Sequence, residues 1–121
     1  MNTFIILAAF FGFTGVALGA FGAHALKARF DADPHMGDNF RTGVHYQMYH
    51  VAALIGVAWA GSVYSSNLLP IAGWLFALGI VVFSGSLYLM ALTGKRWLGA
   101  ITPLGGLAFL AGWLLLALGA L

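Results

Sequence analysis

The chain has 121 residues, of which 62% are hydrophobic and only 7% charged. A soluble domain carries roughly a quarter of its residues as Asp, Glu, Lys and Arg. Five basic and three acidic side chains cannot cover a globule, so a soluble monomer is excluded. The absence of cysteine removes disulfide scaffolds, thiolate metal sites and thiol nucleophiles. A formal net charge of +2 is too sparse for a face that binds nucleic acid.

The charges lie in two places: Lys27, Arg29, Asp31, Asp33, Asp38 and Arg41 in one stretch, and the pair Lys95 and Arg96. Between them run uncharged segments 1–26, 42–94 and 97–121. A membrane-spanning helix needs about 20 mainly apolar residues, so the first segment holds one span, at 3–25. A cleaved signal peptide is the competing reading for it, since Ala23-His24-Ala25 has the shape of a cleavage site, but Met1-Asn2-Thr3 supplies no basic n-region. Residues 26–43 are the hydrophilic connection. Asp33-Pro34 is a helix start there, with Asp as cap and Pro at the first helical position. From Pro34 the chain forms either one long helix into the second span or a short surface helix broken near Gly37 or Gly43.

The middle segment is long enough for two spans, 44–62 and 70–93. They are divided at 61–70, where Gly61, Ser62, Ser65, Ser66, Asn67 and Pro70 give a turn composition. The last span is 101–120, with Thr102-Pro103 reading as a cap followed by proline. Runs such as ALIGVAWA do not alternate, which sets a membrane β-barrel aside. The predicted fold is all-α, a single membrane domain over 1–121 built as an up-down bundle of four transmembrane helices. All five Lys and Arg then lie in the loops 26–43 and 94–97, at one end. Basic residues are retained in the cytoplasm, which places both charged loops inside and both termini outside the inner (plasma) membrane.

Small residues form a seam on each helix. The first span carries Ala8, Gly12, Gly15, Gly19 and Gly22 on one stripe, and the fourth carries Gly105, Gly112 and Gly119 at heptad spacing. In lipid such seams allow close backbone approach. Their number suits packing within one chain plus a further contact, assigned to the first span, that makes a homo-oligomer or engages a membrane-protein partner.

Polar residues within spans are expensive and mark sites by default. His24 ends the first span. Tyr46, Gln47, Tyr49 and His50 open the second, with His45 just before. Ser84, Ser86, Tyr88 and Thr93 lie in the last half of the third, and Thr102 opens the fourth. An up-down bundle brings these to the charged end, with His50 roughly 9 Å below the start of its span at about 1.5 Å per residue. The outer half is almost purely apolar, Thr14 excepted. This cluster ties helix ends together or binds a small ligand, lipid headgroup or cofactor. His45 and His50, five apart on one helix, diverge too far to share a metal, and a haem would require His24 with His50. Neither is called for, so no metal and no cofactor is expected. The spans contain no Asp or Glu, which argues against proton-coupled export. Ser84 or Ser86 beside His50 lacks an acidic third member, and no enzyme is expected.

GAFGAH at 19–24 with Leu26, YQMYH at 46–50, FSGSLYLMALTG at 83–94 and GAITPLGGLAFLAGW at 99–113 resemble the YgdD-like family of small integral membrane proteins, over about residues 4–120. The resemblance implies a four-span plasma-membrane protein. It implies no reaction, substrate or cofactor. Its motif positions fall here on His24, Tyr46, Gln47, Tyr49, His50, Ser84, Ser86, Tyr88, Thr102 and Pro103, largely the polar cluster. The function expected is that of a structural or accessory protein of the lipid bilayer, self-associating or supporting membrane integrity or a partner complex. A ligand site in the polar cluster is the alternative.

Overall fold

A computed structural model describes residues 2–121, with Asn2 described by its backbone alone. It is all-α, with no strand among the described residues. The helices are α1 (Asn2–His24), α2 (Lys27–Ala32), α3 (Pro34–Val63), α4 (Leu68–Gly79), α5 (Gly85–Thr93) and α6 (Thr102–Gly119). A π-helical turn, Ile80–Ser84, joins α4 to α5 into one rod, Leu68–Thr93, and a 3-10 turn, Arg96–Ala100, leads into α6. Three of these stretches are long and apolar enough to cross a membrane: Thr3–His24, Leu68–Thr93 and Arg96–Gly119, with mean hydropathies of 2.2, 2.2 and 1.9.

The stretch 26–43 differs from a connecting loop. Its first part is α2, and its second part is the opening of α3, a single helix of 30 residues that begins ten residues before the expected span 44–62. Asp33 caps it as expected, its Oδ1 accepting from the Met36 N–H at 3.4 Å, with Pro34 in the first turn. Gly37 and Gly43 do not break this helix. Each makes room for an aromatic neighbour: a Cβ on Gly37 would lie 2.9 Å from Phe30 Cβ, and one on Gly43 would lie 2.8 Å from Tyr88 Cε1. A glycine in a helix costs about 1 kcal/mol against alanine, which the close packing offsets.

The other boundaries follow from local chemistry. Pro70 falls in the first turn of α4, where an N–H would have no helical partner anyway. Gly94 ends α5 at φ 72°, the left-handed conformation that glycine adopts without a Cβ clash, and its N–H reaches the Met90 carbonyl at 2.8 Å. The guanidinium of Arg29 on α2 donates to the Leu92 carbonyl in the same last turn. The start of α6 is a correction: Ile101, not Thr102, occupies the cap position, and no side chain caps it. The 3-10 turn delivers the chain already coiled, with Ile101 N–H on Leu98 O and Leu104 N–H on Ile101 O. The Thr102 hydroxyl is thereby released for another partner.

Consecutive long helices run antiparallel. Gly22, Gly15 and Gly12 of α1 face Phe40, Met48 and Val51 of α3. On α6, Gly105, Gly112 and Gly119 face Phe83, Phe76 and Leu69 of the rod. The main core lies where α1, α3 and the rod meet, among Phe4, Phe11, Leu54, Val57, Phe76 and Ile80, with Phe109 reaching in from α6. A second cluster of Phe30, Phe40 and Ala91 seals the charged end. The outer faces stay apolar and bare: Phe13 is 77% exposed and Leu110 68%, the pattern of a surface solvated by lipid rather than water.

Candidate functional site

The polar residues of the spans resolve into links between helices, built from the middle of the molecule outward. Gln47 of α3 is 2% exposed and uses its whole amide. Its Nε2 donates to the Phe11 carbonyl at 2.8 Å and to Thr14 Oγ1 at 2.9 Å, both on α1, and its Oε1 accepts from the Tyr88 hydroxyl of the rod at 2.5 Å. One side chain thus joins three helices, and its orientation is fixed, because a flipped amide would set Oε1 against the Phe11 carbonyl.

His50 lies one turn further along α3. Nδ1 is 2.7 Å from the Tyr46 carbonyl, and Nε2 accepts from the Trp113 indole N–H of α6 at 3.0 Å. A carbonyl can only accept and an indole N–H can only donate, so the ring is the neutral tautomer with its proton on Nδ1. Phe109 stacks on it with centroids 3.5 Å apart and planes 6° from parallel. Neither nitrogen keeps a lone pair for a metal.

Two hydroxyl links complete the set. Ser84, within the π turn and fully buried, donates to the Gly43 carbonyl at 2.6 Å, the approach that Gly43 permits. The Ser86 and Thr102 hydroxyls meet at 2.5 Å between the rod and α6, with the Phe83 carbonyl 2.9 Å from Ser86 Oγ and the Leu98 carbonyl 3.4 Å from Thr102 Oγ1 as the further acceptors. No buried side-chain nitrogen or oxygen among the described residues lacks a hydrogen-bond partner.

The structure therefore brings together Gln47, Tyr88, His50, Ser84, Ser86 and Thr102 as ties, and leaves others outside. His24 is exposed at the end of α1, where the helix pairing sets it level with the residues before Phe40. His24 and His50 thus lie on the order of 18 Å apart along the bundle at about 1.5 Å per residue, too far for one haem. Tyr49 is exposed, stacked loosely on His45 at 6.4 Å. Tyr46 is partly exposed and packs its ring on Phe83 at 4.7 Å, while its carbonyl serves His50. The depth also differs from expectation. Because α3 starts at Pro34, Gln47 sits level with Gly15 at the middle of α1, and the network reaches the middle of the bundle rather than staying in the third nearest the charged end.

Three contributors carry less obvious signals. Trp113 sits two turns inside its span although indoles favour the interface, and the backbone carbonyls of Phe11 and Gly43 have no sequence signature. The glycine stripe of the first span packs within the chain: a Cβ on Gly12, Gly15, Gly19 or Gly22 would meet Val51, Met48, Val44 or Phe40 of α3. The charged end is paired locally: Lys27 with Asp31 at 2.8 Å and Arg41 with Asp38 at 2.7 Å. Lys27 is held charged above the usual lysine range by the hydrogen bond and charge of Asp31.

Comparison with known proteins agrees with this membrane architecture. No solved structure matches the chain. The family model for "Protein of unknown function (DUF423)" matches residues 18–106. A UPF0382 membrane protein of Staphylococcus haemolyticus is 50% identical over 96% of this chain and 93% of its own length. The UPF0382 membrane protein YwdK of Bacillus subtilis is 45% identical over 99% and 97%. The UPF0382 inner membrane protein YgdD of Escherichia coli K12 is 45% identical over 97% and 88%. With its bare apolar faces, three membrane-length helices and relatives of near-equal length that are membrane proteins, the chain belongs to the DUF423 family.

Proposed function

We propose that this protein is a four-span inner-membrane scaffold without catalytic activity, in which the polar residues lock the helices to one another. Its role is structural or accessory: self-association, support of membrane integrity, or support of a partner complex. One observation carries the reading. The buried polar side chains of the candidate site are engaged by the protein itself, leaving no donor or acceptor aimed into an empty space.

The fourth span in this reading is the apolar part of α3. Its Asp38, Arg41, Gln47 and His50 lower its hydropathy, yet it lies between α1 and the rod over the length of both. Exposed Trp59 and Tyr64 near one end and Trp97 at the other fit the aromatic belts of two interfaces. The inner-membrane assignment draws on the name of the Escherichia coli relative. The end carrying all Lys and Arg is cytoplasmic, and both termini are outside. Self-association uses a face other than the glycine stripe of α1. The outer side of α3 around Gly56, where a Cβ would meet nothing within 4 Å, supports that choice.

Reconstitution tests the non-catalytic reading. Purified protein in liposomes is expected to move no solute saturably and to hold no stoichiometric haem or metal. Saturable flux, or a chromophore lost with His50→Ala, would replace the scaffold by a transporter or a cofactor protein.

A further inference from the structure

A partly enclosed cavity lies outside the polar network, at the charged end. It has a volume of about 240 Å³ between the C-terminal turns of α1 and the opening of α3, and α2 closes one side with Phe30. Gly19 and Ala23 form one wall and Phe40 the opposite one, while Arg41 and His45 stand at the mouth. Arg41 and His45 are four apart on α3, so they share a face. Both are exposed. Arg41 bonds Asp38 through Nη2 alone, and a guanidinium has five N–H donors in a fork matched to phosphate.

We infer that this cavity holds one acyl chain of an anionic phospholipid, with the headgroup phosphate on Arg41 and His45. Three features select that occupant. The interior is apolar and the mouth cationic, the division that an amphiphilic anion carries. The mouth lies at the end that carries all the charges: Lys27 pairs with Asp31 and Arg41 with Asp38, and the remaining Arg29, Lys95 and Arg96 outnumber Asp33, which is turned to the α3 terminus. At about 240 Å³ the cavity is also too small to take a partner helix, which measures about 10 Å across with its side chains. A phosphate there is at interface depth whichever way the bundle is inserted, so the site does not depend on the orientation of the termini.

The test uses the full-length protein in phosphatidylcholine nanodiscs with and without phosphatidylglycerol, read by native mass spectrometry for retained lipid and by thermal unfolding. The expected result is one phosphatidylglycerol retained per chain in preference to phosphatidylcholine, with a rise in melting temperature. Ala23→Leu fills the cavity without touching a charge, and Arg41→Gln removes the anchor without touching the cavity. Each is expected to cut retention several-fold, and folding of both is checked by their unfolding in phosphatidylcholine alone. Retention that survives Ala23→Leu would reduce the effect to surface attraction and overturn the site. Equal retention of the two lipids, or retention of free palmitate in their place, would overturn the assignment to an anionic phospholipid.

Discussion

Trp113 donates its indole proton to Nε2 of His50 at 3.0 Å, and this is the hydrogen bond through which α6 holds α3. The two helices otherwise meet through ring contacts, Phe109 stacked on His50 foremost. Trp113→Phe keeps the ring and deletes the donor, whereas His50→Phe keeps the stack and deletes the acceptor. Interhelical hydrogen bonds in membrane proteins couple by roughly 0.6 to 2 kcal/mol. A double-mutant cycle in mixed micelles is expected to return a coupling in that range. A coupling of zero would mean the bond does not operate in the folded protein.

Gln47 and Tyr88 share a hydrogen bond but not a rank. Tyr88→Phe leaves Gln47 Oε1 without its donor but keeps the two Nε2 contacts with α1. Gln47→Leu leaves the Tyr88 hydroxyl without its acceptor and also removes both links to α1; each buried polar group left unpaired costs about 1–3 kcal/mol. Denaturant unfolding is expected to find Gln47→Leu the more damaging by about 1 kcal/mol or more. The reverse order would contradict the placement of Gln47 as the three-helix junction.

The glycines separate sharply by what surrounds them. A Cβ on Gly105 would strike the backbone nitrogen and Cα of Phe83, which cannot swing aside. Gly105→Ala is expected to destabilise by about 1–3 kcal/mol or prevent folding. Gly56→Ala meets open space and gains about 1 kcal/mol of helix propensity, so the monomer is expected to be as stable or more so. If self-association uses the outer face of α3, cross-linking in native membranes falls in Gly56→Ala while monomer stability does not.

A chain without cysteine can be mapped with single introduced ones. A membrane-impermeant thiol reagent added to intact cells is expected to label Asn67→Cys and spare Lys95→Cys. Labelling of Lys95→Cys alone would invert the bundle.

Much of this architecture was legible because hydropathy and helix ends are local. The expected span 3–25 is close to α1 at Asn2–His24, and 70–93 is close to the rod at Leu68–Thr93. Asp33-Pro34 starts a helix because capping needs only neighbouring residues. Whether the helix from Pro34 runs on into the second span was obscured by Asp38 and Arg41, whose charge imitates a loop although they pair along the helix surface. Gly37 and Gly43 resemble breaks until the aromatic rings beside them are in place. Spacing places Gly15 and Gly19 on one face, but it does not say which helix covers that face. The partner of His50 was hidden for a similar reason, since Trp113 lies 63 residues away and nothing local marks the pair.

The π turn at Ile80–Ser84 adds a residue to one circuit of the rod. At 3.6 residues per turn, one residue is worth about 100° of rotation, so α5 runs out of phase with α4. Upstream of the turn, Phe76 and Gly79 address α6. Downstream, Tyr88 is aimed at Gln47 and Ser86 at Thr102. Wound as a plain α-helix, the same sequence would carry both hydroxyls a quarter-turn off target. The irregular turn thus sets the angular register by which one rod serves two neighbours.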